Sequence, residues 1–190
     1  FPGSPYYFMD EETFLDEMHA AYPDVFNRLD IWASHPYPMG PFTEGPWRQS
    51  FQIDLMHDAT NPEHTPPPAG INNRGINGYE WEIFKLSTYG VRSLPVMITE
   101  TGWRHAETTD PAATDNGRPL PTAETVAIYV DLAFFGNNGR YPELPDSGWT
   151  PWAGDPRVMA VTPFALNGHP SEWGHTNWLA LDAQGTVLDT

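Results

Sequence analysis

Glu100 is the acidic residue whose position most strongly indicates chemistry. It directly follows the apolar run 94–99, which predicts a buried β-strand. A charged residue at such a position needs a reason; the plain alternative is an exposed or helix-capping carboxylate. His35 and Tyr37 follow a second short run, 30–34, that also predicts a buried strand. If the two strand ends are neighbours, hydrogen bonds from Tyr37 and His35 can keep a carboxylate at Glu100 ionised and aimed. The alternative for this pair is a satisfied core contact beneath a loop.

The elements that position these residues follow from the apolar periodicity and the capping residues. The predicted helices run from an N-cap at Asp10 to Pro23, from about Tyr79 to Gly90, and from Thr122 to Gly136. A third buried strand is predicted over 157–166. The stretches 39–77, 104–120 and 137–155 are predicted loops, with a turn at 115–117, and the segment 178–188 stays open between a short helix and a hairpin.

Apolar strands that alternate with helices imply βα units and a parallel sheet, with functional loops at its carboxyl edge. About three such strands are visible, whereas a closed eight-stranded barrel usually takes ~250 residues. The sequence therefore predicts an α/β fold that is part of a (β/α) barrel, as a single partial domain over residues 1–190. Alone, it would expose apolar faces and two sheet edges, so we expect a missing N-terminal segment or a partner subunit to complete it.

Composition narrows the possible partners. The formal net charge is −16, and Lys85 is the only lysine, so no basic stripe is available to neutralise nucleic-acid phosphates or to bind an anionic membrane surface. The most apolar helical stretch, 126–135, is too short to be a transmembrane segment. With no cysteine, disulfides and thiol catalysis are excluded. The acidic, Trp- and Pro-rich composition favours an extracellular or cell-surface location.

The motif Ile98-Thr99-Glu100-Thr101-Gly102-Trp103 resembles the seventh-strand nucleophile motif of the retaining β-glycoside hydrolases built on TIM barrels, often called clan A. His35-Pro36-Tyr37 resembles the His-x-Tyr pair that several of these families place at the end of the sixth strand. The resemblance extends over nearly the whole chain but covers only the C-terminal half of the family's fold, about strands six to eight of a (β/α)8 barrel.

The resemblance implies a retaining β-glycosidase that acts on extracellular poly- or oligosaccharide without a cofactor or metal. Glu100 would be the nucleophile, and the residues expected to contact the carbohydrate are His35, Tyr37, Trp103 and Trp173. Family members commonly present a tryptophan at the end of the eighth strand; here that strand carries Phe164, and Trp173 lies in the following loop.

The acid/base residue is the departure from the family. It usually follows an asparagine at the end of the fourth strand, and no Asn-Glu pair occurs in this chain. A retaining mechanism needs two carboxyl groups about 5–5.5 Å apart. The possible substitutes, none at a predicted strand end, are Glu80, Glu82, Glu143 and Glu172. Two functions therefore stay open: a hydrolase whose acid comes from elsewhere, or a non-catalytic glycosidase-like binding or structural subunit of a larger cell-surface or membrane-associated assembly.

For the other polar and aromatic groups, a functional and a structural role are both possible from the sequence. His57-Asp58 with Glu63-His64, and Asp16 with His19, are alternatives for a metal site, but their loop context and the missing second half of a di-iron pattern favour no metal. The loop tryptophans either line a sugar cleft or hold irregular backbone in place; they are Trp47, Trp149, Trp152 and Trp173.

Overall fold

The computed structural model describes residues 11–38, 43–48, 75–106, 114–115, 117–166 and 176–178, together with Ala112 and Thr186. Within these residues the regular elements are, in chain order, α1 (Glu11–Ala21), β1 (Trp32–Ser34), α2 (Tyr79–Thr88), β2 (Val96–Thr101), β3 (Thr114–Asp115), β4 (Arg118–Pro119), α3 (Ala123–Phe135) and β5 (Val158–Pro163). The expected N-cap Asp10, most of the loop 39–77 and most of the segment 178–188 lie outside this part of the chain.

A three-stranded parallel sheet with the order β1-β2-β5 organises the molecule. The connection from β1 to β2 contains α2, and the connection from β2 to β5 contains α3. The chain is therefore α/β, as the sequence predicts. Because all three strands run the same way, their carboxyl ends meet at one edge of the sheet.

The sheet is covered by helices on one face. Val96 and Ile98 of β2 are fully buried there, in a cluster that includes Val126 and Val130 of α3. On the opposite face Ala33 of β1 is exposed, as is Met159 of β5, whose relative exposure is 63%.

The runs 30–34 and 157–166 were expected to form buried strands; both contain a strand, but neither strand is buried throughout. The residues of β1 alternate from half-buried through exposed to buried, and none of the residues of β5 is fully buried. The reason is that the helices of the described chain pack on one side of the sheet only.

A buried ion cluster joins α1 to α2. Lys85 Nζ lies 2.8 Å from Glu12 Oε1 and 2.9 Å from Asp16, and the hydroxyl of Tyr89 donates to Asp16 Oδ1 over 2.6 Å. Burial acts to lower the pKa of Lys85, but the hydrogen bonds and charges of Glu12 and Asp16 outweigh it and raise the pKa. Asp16 therefore binds the lysine, and the His19 ring stacks on Tyr89 with centroids 4.3 Å apart.

The capping residues set the ends of α3 as predicted. The Thr122 side chain accepts a hydrogen bond from the Thr125 N–H over 3.2 Å at the first turn. At the other end Gly136 has φ +72° and donates its N–H to the Leu132 carbonyl over 2.8 Å. Asn116 of the predicted turn lies outside the described residues; on either side of it β3 and β4 pair antiparallel, and Gly117 has φ +76°.

Candidate functional site

The carboxyl edge of the sheet brings together three of the residues proposed from the sequence. Glu100 lies at the end of β2, and His35 and Tyr37 follow the adjacent strand β1. The Tyr37 hydroxyl donates a hydrogen bond to Glu100 Oε2 over 2.9 Å. His35 Nδ1 is 3.6 Å from the same oxygen, a distance at which a protonated imidazole would attract the carboxylate.

Glu100 is accessible although it is held. Its side chain is 41% exposed, and that of His35 is 54% exposed. Within the described residues, Oε1 of Glu100 accepts no hydrogen bond, so one oxygen is oriented by Tyr37 while the other stays available. Burial, followed by the hydrogen bond and the charge of Glu100, raises the pKa of Tyr37 well above its ordinary value. Tyr37 is therefore a hydroxyl donor throughout the neutral range.

Thr101 connects the strand ends around this group. Its hydroxyl donates to the Pro36 carbonyl over 2.8 Å, and its own carbonyl accepts the Phe164 N–H over 2.6 Å. The residue is fully buried. Sequence reasoning did not single out Thr101; the available signal was a hydroxyl residue directly after a carboxylate at the end of a strand.

Glu82 was one of the possible acids, and the structure places it within the helix–strand interface. Its Oε1 accepts from the Ser34 hydroxyl over 2.8 Å, and its Oε2 accepts from the indole N–H of Trp32. Burial raises the pKa of Glu82, and the two hydrogen bonds and the charge of His35 offset this only in part. Trp32 and Ser34 pair with β2 residues on the face that the helices cover, so Glu82 lies on that side of the sheet.

The structure does not place the other possible acids beside Glu100 either. Glu80 pairs with Arg157, Oε1 to Nη2, over 3.1 Å. The carbonyl of Arg157 accepts the Val96 N–H at the amino end of β2, and this end is roughly 13 Å from Glu100 along the strand at ~3.3 Å per residue. Glu80 therefore pairs with a residue at the opposite edge of the sheet from Glu100. Glu143 is exposed on the connection from α3 to the start of β5, and Glu172 lies outside the described residues.

Trp103 is placed differently from a sugar-binding platform. It is only 2% exposed, its indole N–H donates to the Glu44 carbonyl over 2.9 Å, and its ring packs against Tyr129 with centroids 5.8 Å apart. Little of its ring surface is therefore open for stacking on a sugar. Trp173 lies outside the described residues.

Three other loop tryptophans pack within the fold, and two of them hold backbone in place. The indole of Trp149 donates to the Leu132 carbonyl over 3.0 Å, and that of Trp152 donates to the Ile76 carbonyl over 2.9 Å. Trp47 makes an edge contact with Tyr129, with centroids 5.6 Å apart. These contacts match the structural reading of the loop tryptophans.

No group of three or more His, Cys, Asp or Glu side chains in the described part of the chain could hold a metal ion. The candidate ligands of 57–58 and 63–64 lie outside it. A cavity of about 510 Å³ lies beside α3 and the end of β5, lined by Trp103 and Trp178 but not by Glu100, His35 or Tyr37. No helix among the residues described is long and apolar enough to cross a membrane.

Comparisons of the chain with protein-family models, with curated proteins and with solved structures gave no match in any of the three. The class that the fold itself defines is α/β with a parallel sheet, and the site is a tyrosine-held carboxylate at its carboxyl edge.

Proposed function

We propose that this chain is the C-terminal part of a (β/α)8-barrel retaining β-glycoside hydrolase and that Glu100 is its nucleophile. The observation that carries the proposal is the hydrogen bond from the Tyr37 hydroxyl to Glu100 Oε2, beside His35, at the carboxyl edge of a parallel sheet. Functional groups of (β/α) barrels lie at that edge. Substrates of this class are poly- or oligosaccharides, and we place the protein outside the cell or at its surface.

In the proposed reaction Glu100 Oε1 forms a bond to the anomeric carbon while the bond to the leaving oxygen breaks. A second carboxyl group protonates that oxygen and then takes a proton from the water that hydrolyses the glycosyl-enzyme. Tyr37 holds Oε2 during the attack, and its raised pKa keeps it a donor. His35 and Trp173 stay proposed as residues that contact the carbohydrate, His35 from the exposed edge of the site, whereas the buried Trp103 supports the site from the core.

The uncovered face of the sheet supports a larger barrel. Ala33 and Met159 are exposed on the face opposite the helices, where the other strands of a closed barrel would place their inward side chains. We propose that strands of a preceding N-terminal segment, or of a partner subunit, cover this face and supply the acid/base. This rests on the placement of Glu80 and Glu82, which are held by other partners, and of Glu143, which is exposed on the connection after α3.

The test separates the nucleophile from the acid. A dinitrophenyl β-glycoside with fluorine at carbon two has a leaving group that needs no protonation, so the label forms on the nucleophile even where the acid is lacking. We expect the native polypeptide to gain the mass of one fluoro sugar, and peptide mapping to locate it on Glu100.

The matched variants are Glu100→Gln and Glu143→Gln. The first removes the proposed nucleophile, and the second neutralises an exposed carboxylate on the connection from α3 to β5. Labelling should disappear in Glu100→Gln and continue at the original rate in Glu143→Gln. A label on another residue, or equal labelling of both variants, would remove Glu100 from the mechanism.

The second candidate is a non-catalytic, glycosidase-like binding or structural subunit of a cell-surface or membrane-associated assembly. The observation that favours it is that Glu80 and Glu82 are held by other partners, while Glu143 is exposed on the connection after α3. It predicts a native mass near the 21.3 kDa of this chain and oligosaccharide binding without turnover. A heavier native polypeptide with hydrolytic activity would contradict it.

A further inference from the structure

A buried hydrogen bond joins the chain neighbours of Tyr37 and Glu100. Thr101 directly follows Glu100, and its hydroxyl donates to the carbonyl of Pro36, the residue directly before Tyr37. The two hydrogen bonds, 2.8 Å from Thr101 and 2.9 Å from Tyr37, therefore close a small ring between the ends of β1 and β2. The position of Tyr37 relative to Glu100 depends on both.

The backbone ladder does not extend to this point. The register between β1 and β2 runs from Trp32–Val96 to Ser34–Ile98 and ends there within the described residues. Beyond Ser34 the chain turns through His35, Pro36 and Tyr37. The side chain of Thr101 therefore continues the connection between the two strands beyond the last ladder pair.

Thr101 also joins the third strand. Its carbonyl accepts the Phe164 N–H over 2.6 Å just beyond the end of β5. The register between β2 and β5 is irregular between Ile98 and Thr101, so this contact re-establishes the pairing at the edge that carries Glu100. A fully buried threonine thus contacts the ends of both neighbouring strands.

We propose that Thr101 is a positioning residue for Glu100: its hydroxyl fixes Pro36 so that the Tyr37 hydroxyl reaches Glu100 Oε2. The proposal rests on the proposed function, because it assigns Thr101 a role in aiming the nucleophile. It goes beyond that function in naming a residue that need not touch the carbohydrate.

Two variants isolate the hydroxyl. Thr101→Val keeps the branched shape and removes the donor, whereas Thr101→Ser keeps the donor and removes the methyl group. With the dinitrophenyl fluoro glycoside, we expect Thr101→Val to slow the labelling of Glu100 on the order of tenfold or more, because small misplacements of reacting groups have effects of this size or larger. The sugar concentration for half-maximal rate should change less than threefold, about 0.65 kcal/mol at RT ≈ 0.59 kcal/mol. Thr101→Ser should label within about threefold of the wild-type rate.

Thermal unfolding measured in parallel separates aiming from general damage. If Thr101→Val is folded at the assay temperature and labels Glu100 at the wild-type rate, the proposal is overturned. Equal slowing in Thr101→Val and Thr101→Ser would also overturn it, since the hydroxyl would then not be the group that matters. If Thr101→Val does not fold, Thr101→Cys, whose thiol is a weak donor, takes its place with the same expected direction.

A double-mutant cycle tests the positioning even if no label forms and the proposed function fails. Tyr37→Phe removes the hydroxyl that reaches Glu100 and should lower the urea midpoint of the wild-type protein. In a Thr101→Val background the same change should have at most half that effect, because the contact is already loosened. Additive effects of the two substitutions would show that Thr101 does not position Tyr37.

Discussion

Replacing Lys85 with methionine should destabilise the protein, because it breaks the buried ion cluster between α1 and α2. Methionine keeps the length and apolar stem of lysine and removes only the charge. Glu12, whose side chain is 9% exposed, would then be left without the cation that lies 2.8 Å from its Oε1. Removing one partner of a buried ion pair costs about 3–5 kcal/mol, because the remaining charge is desolvated and uncompensated.

The lower end of that range applies here, because Asp16 is 43% exposed and regains water when the lysine is lost. We expect a loss of about 3 kcal/mol in the free energy of unfolding, or roughly 6–12 °C in the melting temperature for a chain of this size. The raised pKa of Lys85 adds a pH signature. The contribution is fully present below the ordinary lysine value of about 10.4 and is lost as the pH rises through the raised folded value.

Urea unfolding followed by tryptophan fluorescence measures the loss. Arg92→Met is the matched control, because Arg92 pairs with the fully exposed Asp30 at 3.9 Å, and such surface pairs contribute about 0–1 kcal/mol. The double variant Glu12→Leu with Lys85→Met should recover most of the stability, since it removes both charges. A loss below about 1 kcal/mol in Lys85→Met would refute the reasoning, because the cluster would then behave like a surface pair.

Three further predictions concern other parts of the fold. Asp155→Asn should lower the free energy of unfolding by about 1.5–3 kcal/mol at neutral pH, measured by urea unfolding. Burial opposes the ionised form of Asp155, but the hydrogen bonds that its arginine and tyrosine partners donate outweigh burial and lower its pKa. The loss should therefore fade as the pH falls through that lowered pKa. Glu82→Gln should flatten the decline in stability that the raised pKa of Glu82 produces as the pH rises through it, and an unchanged slope between pH 4 and 8 would contradict this. Gly148→Ala should destabilise the protein by about 1–3 kcal/mol, since Gly148 has φ +115° and a Cβ there would lie 2.7 Å from the Trp47 carbonyl oxygen. Gly139, with φ +74° and open space around it, is the control. Gly139→Ala should cost about 1 kcal/mol in the same calorimetric measurement.

The order and type of the main elements could be predicted because local signals set them. The capping threonine at 122, the glycine at 136 and the apolar run before Glu100 predicted α3 and β2 nearly to their ends. The parallel sheet followed from alternating strands and helices, since such connections put consecutive strands side by side. The contact between Tyr37 and Glu100 was expected from two polar residues at the ends of two such strands.

The sequence did not predict which face of a strand, or which side of a side chain, other elements cover. Burial of β1 and β5 was overestimated because an apolar run does not reveal whether one or both faces of its strand are packed. Trp103 looked like an exposed platform in the motif, but it is turned into the core beside Tyr129. Glu82 was one of the possible acids, and only the three-dimensional structure reveals that Trp32 and Ser34 donate hydrogen bonds to it.

The enclosed lysine has a practical consequence for chemical modification. Lys85 carries the only ε-amino group in these 190 residues, and its side chain is 5% exposed. Reagents that acylate amines need the neutral amine and physical access to it. In the folded protein the raised pKa keeps the amine charged, and burial blocks access. The rate at which this amine is acylated would therefore report how often α1 and α2 separate, as a label-based readout of local opening that needs no engineered probe.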